Sequence, residues 1–281
     1  MVMVSSRLLF FLFLIFVLVY QATTQPSFIY YFCSDNTGKY TSKSKYKANL
    51  DHVLASISSN TGTDNGFGTD SHGQEPDKAY GIGLCRGDVK ADVCRSCLND
   101  SRTVLTQLCP NQMEAIGWYD NCSLRFSNRS MFGVVESAPN SFMWNPRNVS
   151  DVKGYGVVLK NLLSGMISDA ASGVSLKFAT RTSVAPDKSK LYVLAQCTPD
   201  LSEQDCRDCL NLIYAQIPLF GLGQAGGRAY TPNCNFRFET YPFFDLTSVA
   251  TPSPPSQPVS PESPPPIKGR IILIYPISMK P

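Results

Sequence analysis

The 281-residue sequence has little histidine and little net charge, and each shortage excludes a class of function. It contains two histidines and has a formal net charge of +3, with no block of lysine and arginine interleaved with aromatic residues. A nucleic-acid partner is therefore not implied. With only two histidines and no recognisable nucleophile motif to accompany them, the sequence argues against a hydrolase triad or a metalloenzyme. We therefore expect no metal and no other cofactor.

Long apolar runs are also scarce, and the longest lies at the amino terminus. Arg7 precedes an unbroken apolar run from Leu8 to Tyr20, and small and polar residues follow it. This order predicts a secretory signal peptide over residues 1–24. A membrane span needs about 20 apolar residues, which neither this run nor the short burst from Ile271 to Tyr275 provides. We expect a chain that is secreted into the apoplast without a membrane span; a longer receptor isoform would lie at the plasma membrane.

Cysteine, in contrast, is abundant, and its spacing repeats along the chain. The pattern C-x8-C-x2-C occurs twice, and a fourth cysteine follows each occurrence at the same distance. Four cysteines held in register indicate that one folding unit was duplicated. Export places them in an oxidising compartment, where disulfides are favoured over zinc ligation or a redox-active pair. Each of the four positions recurs 112 residues later: Cys85, Cys94, Cys97 and Cys122 match Cys197, Cys206, Cys209 and Cys234.

Each copy has the pattern of an α+β domain in which helices lie beside an antiparallel sheet. In the first copy, Phe28 to Phe32 and Ala79 to Cys85 read as strands, and apolar residues between Tyr46 and Ile57 recur at helical spacing. The glycine-rich and polar stretch from Asn60 to Gly73, which contains one of the two histidines, reads as a loop. Asp88 is placed to cap a second helix. On that second helix, the predicted inward-facing residues are Val93, Cys97, Leu98, Val104, Leu105 and Leu108.

The closing strands and the second copy complete this organisation. Glu114 to Tyr119 and Ser123 to Phe126 read as an antiparallel pair, and the second copy repeats the order of elements. We therefore expect a first domain over residues 25–134 and a second over residues 135–246. Residues 247–281 are rich in proline and serine, which predicts an extended stalk and a disordered tail without a core.

The positions of the cysteines also restrict which disulfides can form. Cys33 and Cys109 have no counterparts in the second copy, which suggests that they are partners. Cys94 and Cys97 lie about one turn apart on the same predicted helix, where disulfide geometry is poor. Two pairings remain for the other four cysteines of each copy. We favour Cys85–Cys94 with Cys97–Cys122, and Cys197–Cys206 with Cys209–Cys234.

Four N-x-S/T triplets agree with export, because such sites accept glycans in secreted proteins. Asn121 is next to Cys122, which limits access to it. The candidate glycosylation sites are Asn99, Asn121, Asn128 and Asn148.

The chain resembles a known family in its cysteine motif and in two further segments. These are Gln196 to Ser202, and Gly226-Gly227-Arg228 ahead of Asn233 to Glu239. They are similar to the paired ginkbilobin-type, or stress-antifungal, domains of plant cysteine-rich receptor-like kinases and cysteine-rich repeat secretory proteins. The resemblance covers about Pro26 to Leu246. It implies two helices on a sheet of about five strands and the same disulfide choice, with Cys33–Cys109 as the third bridge.

The resemblance also implies a sugar site in one copy. Ginkbilobin binds mannose through an asparagine, an arginine and a glutamate, and a guanidinium with a carboxylate suits vicinal hydroxyls. Arg228 and Glu239 occupy two of these positions. The third falls near Pro146, which is flanked by Asn145 and Asn148, and Asn145 is the candidate for it. A cross-strand structural ion pair is the alternative and the favoured interpretation of Arg228 and Glu239. The first copy has Ser34, Ile116 and Ser127 at these positions, which predicts no such site there.

These observations together predict a non-enzymatic extracellular recognition module, similar to a cysteine-rich receptor-like kinase ectodomain, that acts in plant stress or defence signalling. Its partner would be an extracellular protein or glycan, and this chain carries no kinase domain. A secreted mannose-binding antifungal protein is the alternative, and a thiol oxidoreductase is a third. The sequence leaves the ligand and the oligomeric state open.

Overall fold

A computed structural model of the chain describes residues 27–61, 65–173, 175–220 and 223–245, together with residues 7 and 11. Apart from these last two positions, the predicted signal peptide over residues 1–24 lies outside the described residues. The predicted stalk over residues 247–281 also lies outside them.

The two copies contain the same elements in the same order. In the first copy these are β1 (Phe28–Cys33), α1 (Lys45–Asn60), β2 (Phe67–His72), β3 (Ala79–Cys85), α2 (Ala91–Leu108), β4 (Ala115–Tyr119) and β5 (Cys122–Ser127). In the second copy they are β6 (Ser141–Trp144), α3 (Val152–Ala171), β7 (Phe178–Val184), β8 (Lys190–Cys197), α4 (Glu203–Phe220), β9 (Gly226–Tyr230) and β10 (Cys234–Glu239).

Each copy forms a five-stranded antiparallel sheet with two helices on one face. The strand orders are β1-β4-β5-β3-β2 and β6-β9-β10-β8-β7, so the topology is the same in both. The predicted fold class, two tandem α+β domains with two helices on a sheet of five strands, is confirmed. The helices cover each sheet with apolar side chains, and Phe126 on β5 and Phe238 on β10 lie at equivalent, buried positions.

The assignment of the stretch from Asn60 to Gly73 to a loop is wrong, because Phe67–His72 forms β2. This strand lies at the edge of the first sheet and pairs only with β3, so half of its backbone does not face another described strand. An edge strand tolerates polar residues and glycine, and such a composition resembles that of a loop. His72 ends this strand, and its ring stacks on that of His52 with centroids 3.9 Å apart.

Asp88 does not cap the second helix, which is a second correction. The residue at the helix start is Lys90, which makes no side-chain capping bond. The carboxylate of Asp88 pairs instead with the guanidinium of Arg86 at 2.9 Å and accepts from the backbone N–H of Asp245 at 3.0 Å. Asp88 precedes the cap position by two residues, too early for its side chain to reach the free N–H groups of the first turn.

The inner face of α2 also differs from the expected one at both ends of the helix. Val93 and Leu108 are exposed, whereas Cys94 and Ser101 are buried. The disulfides explain this rotation, because Cys94 and Cys97 must both point toward the sheet to reach their partners. Ser101 is tolerated on the inner face because its hydroxyl donates to the Cys97 carbonyl at 2.6 Å.

Five disulfides close the two copies, and none joins one copy to the other. Their Cα–Cα distances lie between 5.4 and 6.2 Å, within the ordinary range. The pairs are the five that the sequence favours, and all ten cysteines are accounted for. They are Cys33–Cys109, Cys85–Cys94, Cys97–Cys122, Cys197–Cys206 and Cys209–Cys234.

Candidate functional site

The three residues proposed for sugar binding line one open pocket at the β6 side of the second sheet. Asn145 directly follows β6, and its backbone N–H donates to the Gly226 carbonyl on β9 at 2.9 Å. Arg228 lies on β9 and Glu239 at the end of β10. The pocket has a volume of about 350 Å³, which falls in the range of small-molecule sites. Its walls are formed by Met143, Trp144, Asn145, Pro146, Gly227, Arg228, Glu239 and Tyr241.

Glu239 gives the pocket a buried acceptor that lacks a partner. Its side chain is only 6% exposed and lies over Gly226, the residue opposite it on β9, where any Cβ atom would collide with the carboxylate. Oε1 lies 3.4 Å from Nε of Arg237, whereas Oε2 is buried and accepts no hydrogen bond from any described residue. Because an unsatisfied buried acceptor costs about 1–3 kcal/mol, a ligand that donates a hydrogen bond to Oε2 would regain that energy.

Arg228 is fixed mainly by the first copy rather than by Glu239. Its Nη1 forms an ion pair with Oδ1 of Asp120, which lies in the turn between β4 and β5. Its Nε is 4.0 Å from Oε1 of Glu239, at the outer limit of an ion pair. Burial lowers the pKa of Arg228, but Tyr230 and Asp120 outweigh it and raise the pKa above its ordinary value. The guanidinium therefore stays charged, and Asp120 sets its position.

The favoured interpretation treats Arg228 and Glu239 as a cross-strand ion pair. In the structure both residues belong to a larger cluster of charged side chains. Asp120 lies between Arg228 and Arg237, the latter at 3.4 Å, and Arg237 in turn contacts Glu239. Two arginines and two carboxylates form one neutral cluster across the boundary between the copies. A neutral, polar cluster beside a pocket suits an uncharged ligand rich in hydroxyl groups.

Two exposed aromatic residues at the pocket were not predicted as site residues from the sequence. Trp144 is 49% exposed and Tyr241 is 43% exposed, and both line the same walls as Glu239. A tryptophan in a sequence is usually a buried core residue, so its position at the end of a short edge strand could not be anticipated. Exposed aromatic rings with polar tips are frequent at binding surfaces.

The first copy has different residues at the three positions that carry the candidate site in the second copy. Ser34, Ile116 and Ser127 are all buried, and Ile116 packs against Trp118 and Tyr230. This small apolar cluster joins β4 of the first copy to β9 of the second. The position that carries the pocket arginine in the second copy therefore serves packing between the copies in the first.

Direct hydrogen bonds hold the two copies together. The indole N–H of Trp118 donates to the Thr231 carbonyl at 3.3 Å, and Nε2 of Gln196 donates to the Cys85 carbonyl at 2.9 Å. Both bonds are buried, and both copies belong to the same compact unit. Asp120 is therefore held in a defined place relative to Arg228.

The candidate glycosylation sites differ in their surroundings. Asn99 on α2 and Asn148 after β6 are exposed. Asn121 and Asn128 are partly buried, and the side-chain amide of Asn128 donates to the Thr37 carbonyl at 3.4 Å. A glycan on Asn128 would have to break that bond.

Within the described ranges, no group of three or more histidine, cysteine, aspartate or glutamate residues could hold a metal ion. A search of the same residues for a helix long and apolar enough to cross a membrane finds none.

Comparison with protein families shows two matches along the chain. The family described as salt stress response/antifungal matches residues 32–129 and residues 144–241. Each match begins at the end of β1 or β6 and includes the two helices and the other four strands of that copy.

Three curated plant proteins illustrate the range of the relatives. Cysteine-rich repeat secretory protein 38 of Arabidopsis thaliana is 37% identical over 80% of this chain and 89% of its own length. The antimicrobial ginkbilobin-2-like protein of Castanea crenata is 37% identical over 86% of this chain and all of its own length. Cysteine-rich receptor-like protein kinase 25 of A. thaliana is 38% identical over 91% of this chain, but the chain spans only 38% of that kinase.

Two solved structures share the fold. The tandem DUF26 ectodomain of the A. thaliana cysteine-rich receptor-like protein PDLP8 superposes with a TM-score of 0.67 at 22% identity, over 76% of this chain and 98% of that ectodomain. The PDLP5 ectodomain gives 0.61 at 24% identity over the same shares. At these identities the likeness establishes the architecture alone.

Proposed function

Because this chain belongs to the salt stress response/antifungal family, with both copies matched, we propose that it is a non-enzymatic extracellular recognition module in plant stress or defence signalling. Its relatives include a secretory protein and the receptor-like kinases, and the chain spans 38% of the length of one of these kinases. The proposal places the chain in the apoplast, with domains over residues 25–134 and 135–246 followed by a flexible stalk. An extracellular protein or glycan would be its partner.

The observation that carries the proposal is the pocket with the unpaired oxygen of Glu239. Catalysis is not what this arrangement favours, because all ten cysteines are in disulfides and the pocket contains no histidine. Its polar groups can bind and orient a ligand: Arg228 donates, Glu239 accepts, and the amide of Asn145 can do both. Trp144 and Tyr241 add apolar surface for one face of the ligand.

A secreted mannose-binding antifungal protein is the second candidate, and one observation favours it. Resemblance to ginkbilobin was the only reason to select Asn145, Arg228 and Glu239 from the sequence. All three line the same pocket. A relative that this chain matches over its whole length is called an antimicrobial ginkbilobin-2-like protein. This candidate differs from the first in its ligand and in acting without a receptor.

One experiment tests both candidates. The secreted chain and its Glu239→Gln variant are applied to immobilised extracellular glycans and proteins, and mannose binding is measured by calorimetry for the native chain and for Arg228→Ala. We expect Glu239→Gln to weaken binding of the partner at least about tenfold, because it removes a charged acceptor. The matched control is Glu203→Gln, which alters an exposed glutamate on α4 that pairs with Arg207.

The outcomes separate the candidates. A partner that is bound without a heat signal for mannose supports the recognition module and removes the antifungal candidate. A mannose signal that Arg228→Ala abolishes supports the antifungal candidate. Equal binding by the native chain and Glu239→Gln would show that this pocket is not the site of recognition.

A further inference from the structure

The two sheets have four edge strands, and they differ in how well they are protected against pairing with another chain. Natural edge strands are usually short, charged, interrupted by proline or covered. Strand β2 carries Asp70 and His72, and β7 carries Arg181. Strand β6 has only four residues. Strand β1 has six residues, FIYYFC, with no charge and no proline.

Strand β1 is also the most apolar of these edges at the surface. Phe28, Tyr30, Tyr31 and Phe32 are each between 37% and 39% exposed, although their side chains point alternately to the two faces of the sheet. Two of these rings are held by β4, since Phe28 packs against Tyr119 at 5.3 Å and Tyr30 stacks on Trp118 at 6.0 Å. The aromatic side chains are therefore ordered before any partner binds, which lowers the entropic cost of association.

The end of the strand is fixed covalently as well. The Cys33–Cys109 bridge joins β1 to the residue that follows α2, and β6 in the second copy has no such bridge. The pairing of β1 with β4 shifts between Phe28 and Tyr30 and is regular from Tyr30 to Cys33. A regular, anchored stretch of four residues can therefore accept a further strand.

Charge favours a second copy of this chain as the occupant of β1. An antiparallel pair of identical edge strands is two-fold symmetric, so residues near the strand centre face themselves or their neighbours. At β7 such a pair would place Arg181 opposite Arg181, and at β2 it would bring the two Asp70 side chains close together. Like charges opposite each other destabilise a sheet. At β1 the same operation, centred on Tyr31, places Tyr31 of one copy opposite Tyr31 of the other and Tyr30 opposite Phe32, aromatic pairs that stabilise a sheet.

We propose that two copies of this chain associate through β1, which pairs antiparallel with its counterpart and joins the first sheets of both into one continuous sheet. The proposed interface uses none of the residues that line the pocket at Glu239. This inference concerns assembly and does not depend on the proposed function.

The test measures the mass of the secreted chain by sedimentation across a wide range of concentration. We expect a monomer–dimer equilibrium in the native protein. Tyr31→Lys and Phe32→Lys change opposite faces of β1 and should each weaken dimerisation at least about tenfold, because the first places a lysine opposite its own counterpart and the second removes the aromatic pair of Tyr30 and Phe32. Thr182→Lys is the matched control, since it adds the same charge to an exposed position on the edge strand β7.

Circular dichroism and thermal unfolding of each variant show whether it folds, and two variants are used so that one misfolded protein does not decide the result. A native chain that remains monomeric at every concentration would overturn the proposal. A dimer that persists in folded Tyr31→Lys and Phe32→Lys would also overturn it, because association would then use another surface. Loss of the dimer in Thr182→Lys to the same degree would assign the effect to net charge rather than to β1.

Discussion

At the scale of single residues, the two copies place charge differently on the same framework. In the second copy a carboxylate at Glu239 lies over Gly226. In the first copy the corresponding positions hold Ser127 and Glu114, so the carboxylate comes from the opposite strand. Glu114 accepts from Arg125 at 2.9 Å and from Arg129 at 2.8 Å, which closes this cluster. The first copy thus pairs its charges internally, whereas in the second copy Oε2 of Glu239 accepts no hydrogen bond from a described residue.

Glu136 completes the cluster of the first copy and provides a pH-dependent prediction. It contacts both Arg125 and Arg129 from the segment that joins the two copies. Burial raises the pKa of Glu136, but its hydrogen bond with Arg129 and the charge of Arg125 outweigh burial and lower the pKa below the ordinary value of 4.5. Because the pKa is lowered, this stabilisation is fully present when the pH is above the ordinary pKa. It is lost as the pH falls through the lowered pKa.

We therefore expect Glu136→Gln to reduce the free energy of unfolding at neutral pH by about 1.5 kcal/mol, the lower end for a charge-assisted hydrogen bond that is partly open to water. The difference from the native chain should shrink toward zero at strongly acidic pH. Denaturant unfolding at both pH values measures it, with Glu203→Gln as the control because its pair with Arg207 is exposed. A difference that is the same at both pH values would contradict this explanation.

At the scale of elements, the central strands and the helices could be predicted, whereas the polar edges could not. Strand β3 has the predicted bounds, and α1 buries the predicted residues from Tyr46 to Ile57. Such elements are buried by their neighbours, so their apolar residues follow the period of the structure. Strands β2, β6 and β7 pair with one neighbour each and carry glycine, serine, threonine or charge, which hides their period. Among the four edge strands, only the aromatic strand β1 could be recognised from the sequence.

The third disulfide leads to a prediction about which copy opens first. The bridge Cys33–Cys109 spans 76 residues and holds β1 to the end of α2, and the second copy has no equivalent. Closing a loop of this size contributes on the order of 4 kcal/mol. In hydrogen–deuterium exchange we expect β6 and the helices of the second copy to exchange faster than β1 and α2. The double variant Cys33→Ser/Cys109→Ser should remove this difference.

The double variant also provides the control for that experiment. Its exchange in the second copy should stay at the native rate, because the bridges Cys197–Cys206 and Cys209–Cys234 are unchanged. If the native first copy exchanged as fast as the second, or if the double variant protected β1 as well as the native chain does, the third bridge would not explain the difference between the copies.

At the scale of the whole molecule, the duplication could be derived from the sequence, but the contact between the copies could not. The offset between equivalent cysteines reveals two units without reference to structure. The contact depends on Asp120, Trp118 and Gln196, which no pattern distinguishes from ordinary surface or core residues. For the same reason the resemblance pointed to Arg228 in the pocket but not to Asp120, its partner from the other copy.

The central claim is that this chain is a recognition scaffold of two covalently closed copies, with no thiol available for catalysis. Peptide mapping by mass spectrometry of the secreted, unreduced protein, alkylated before digestion, tests this claim most directly. The account predicts five bridges, each within one copy, and no alkylated cysteine. Alkylation of any of the cysteines in a substantial fraction of the folded protein, or a bridge between the two copies, would contradict it.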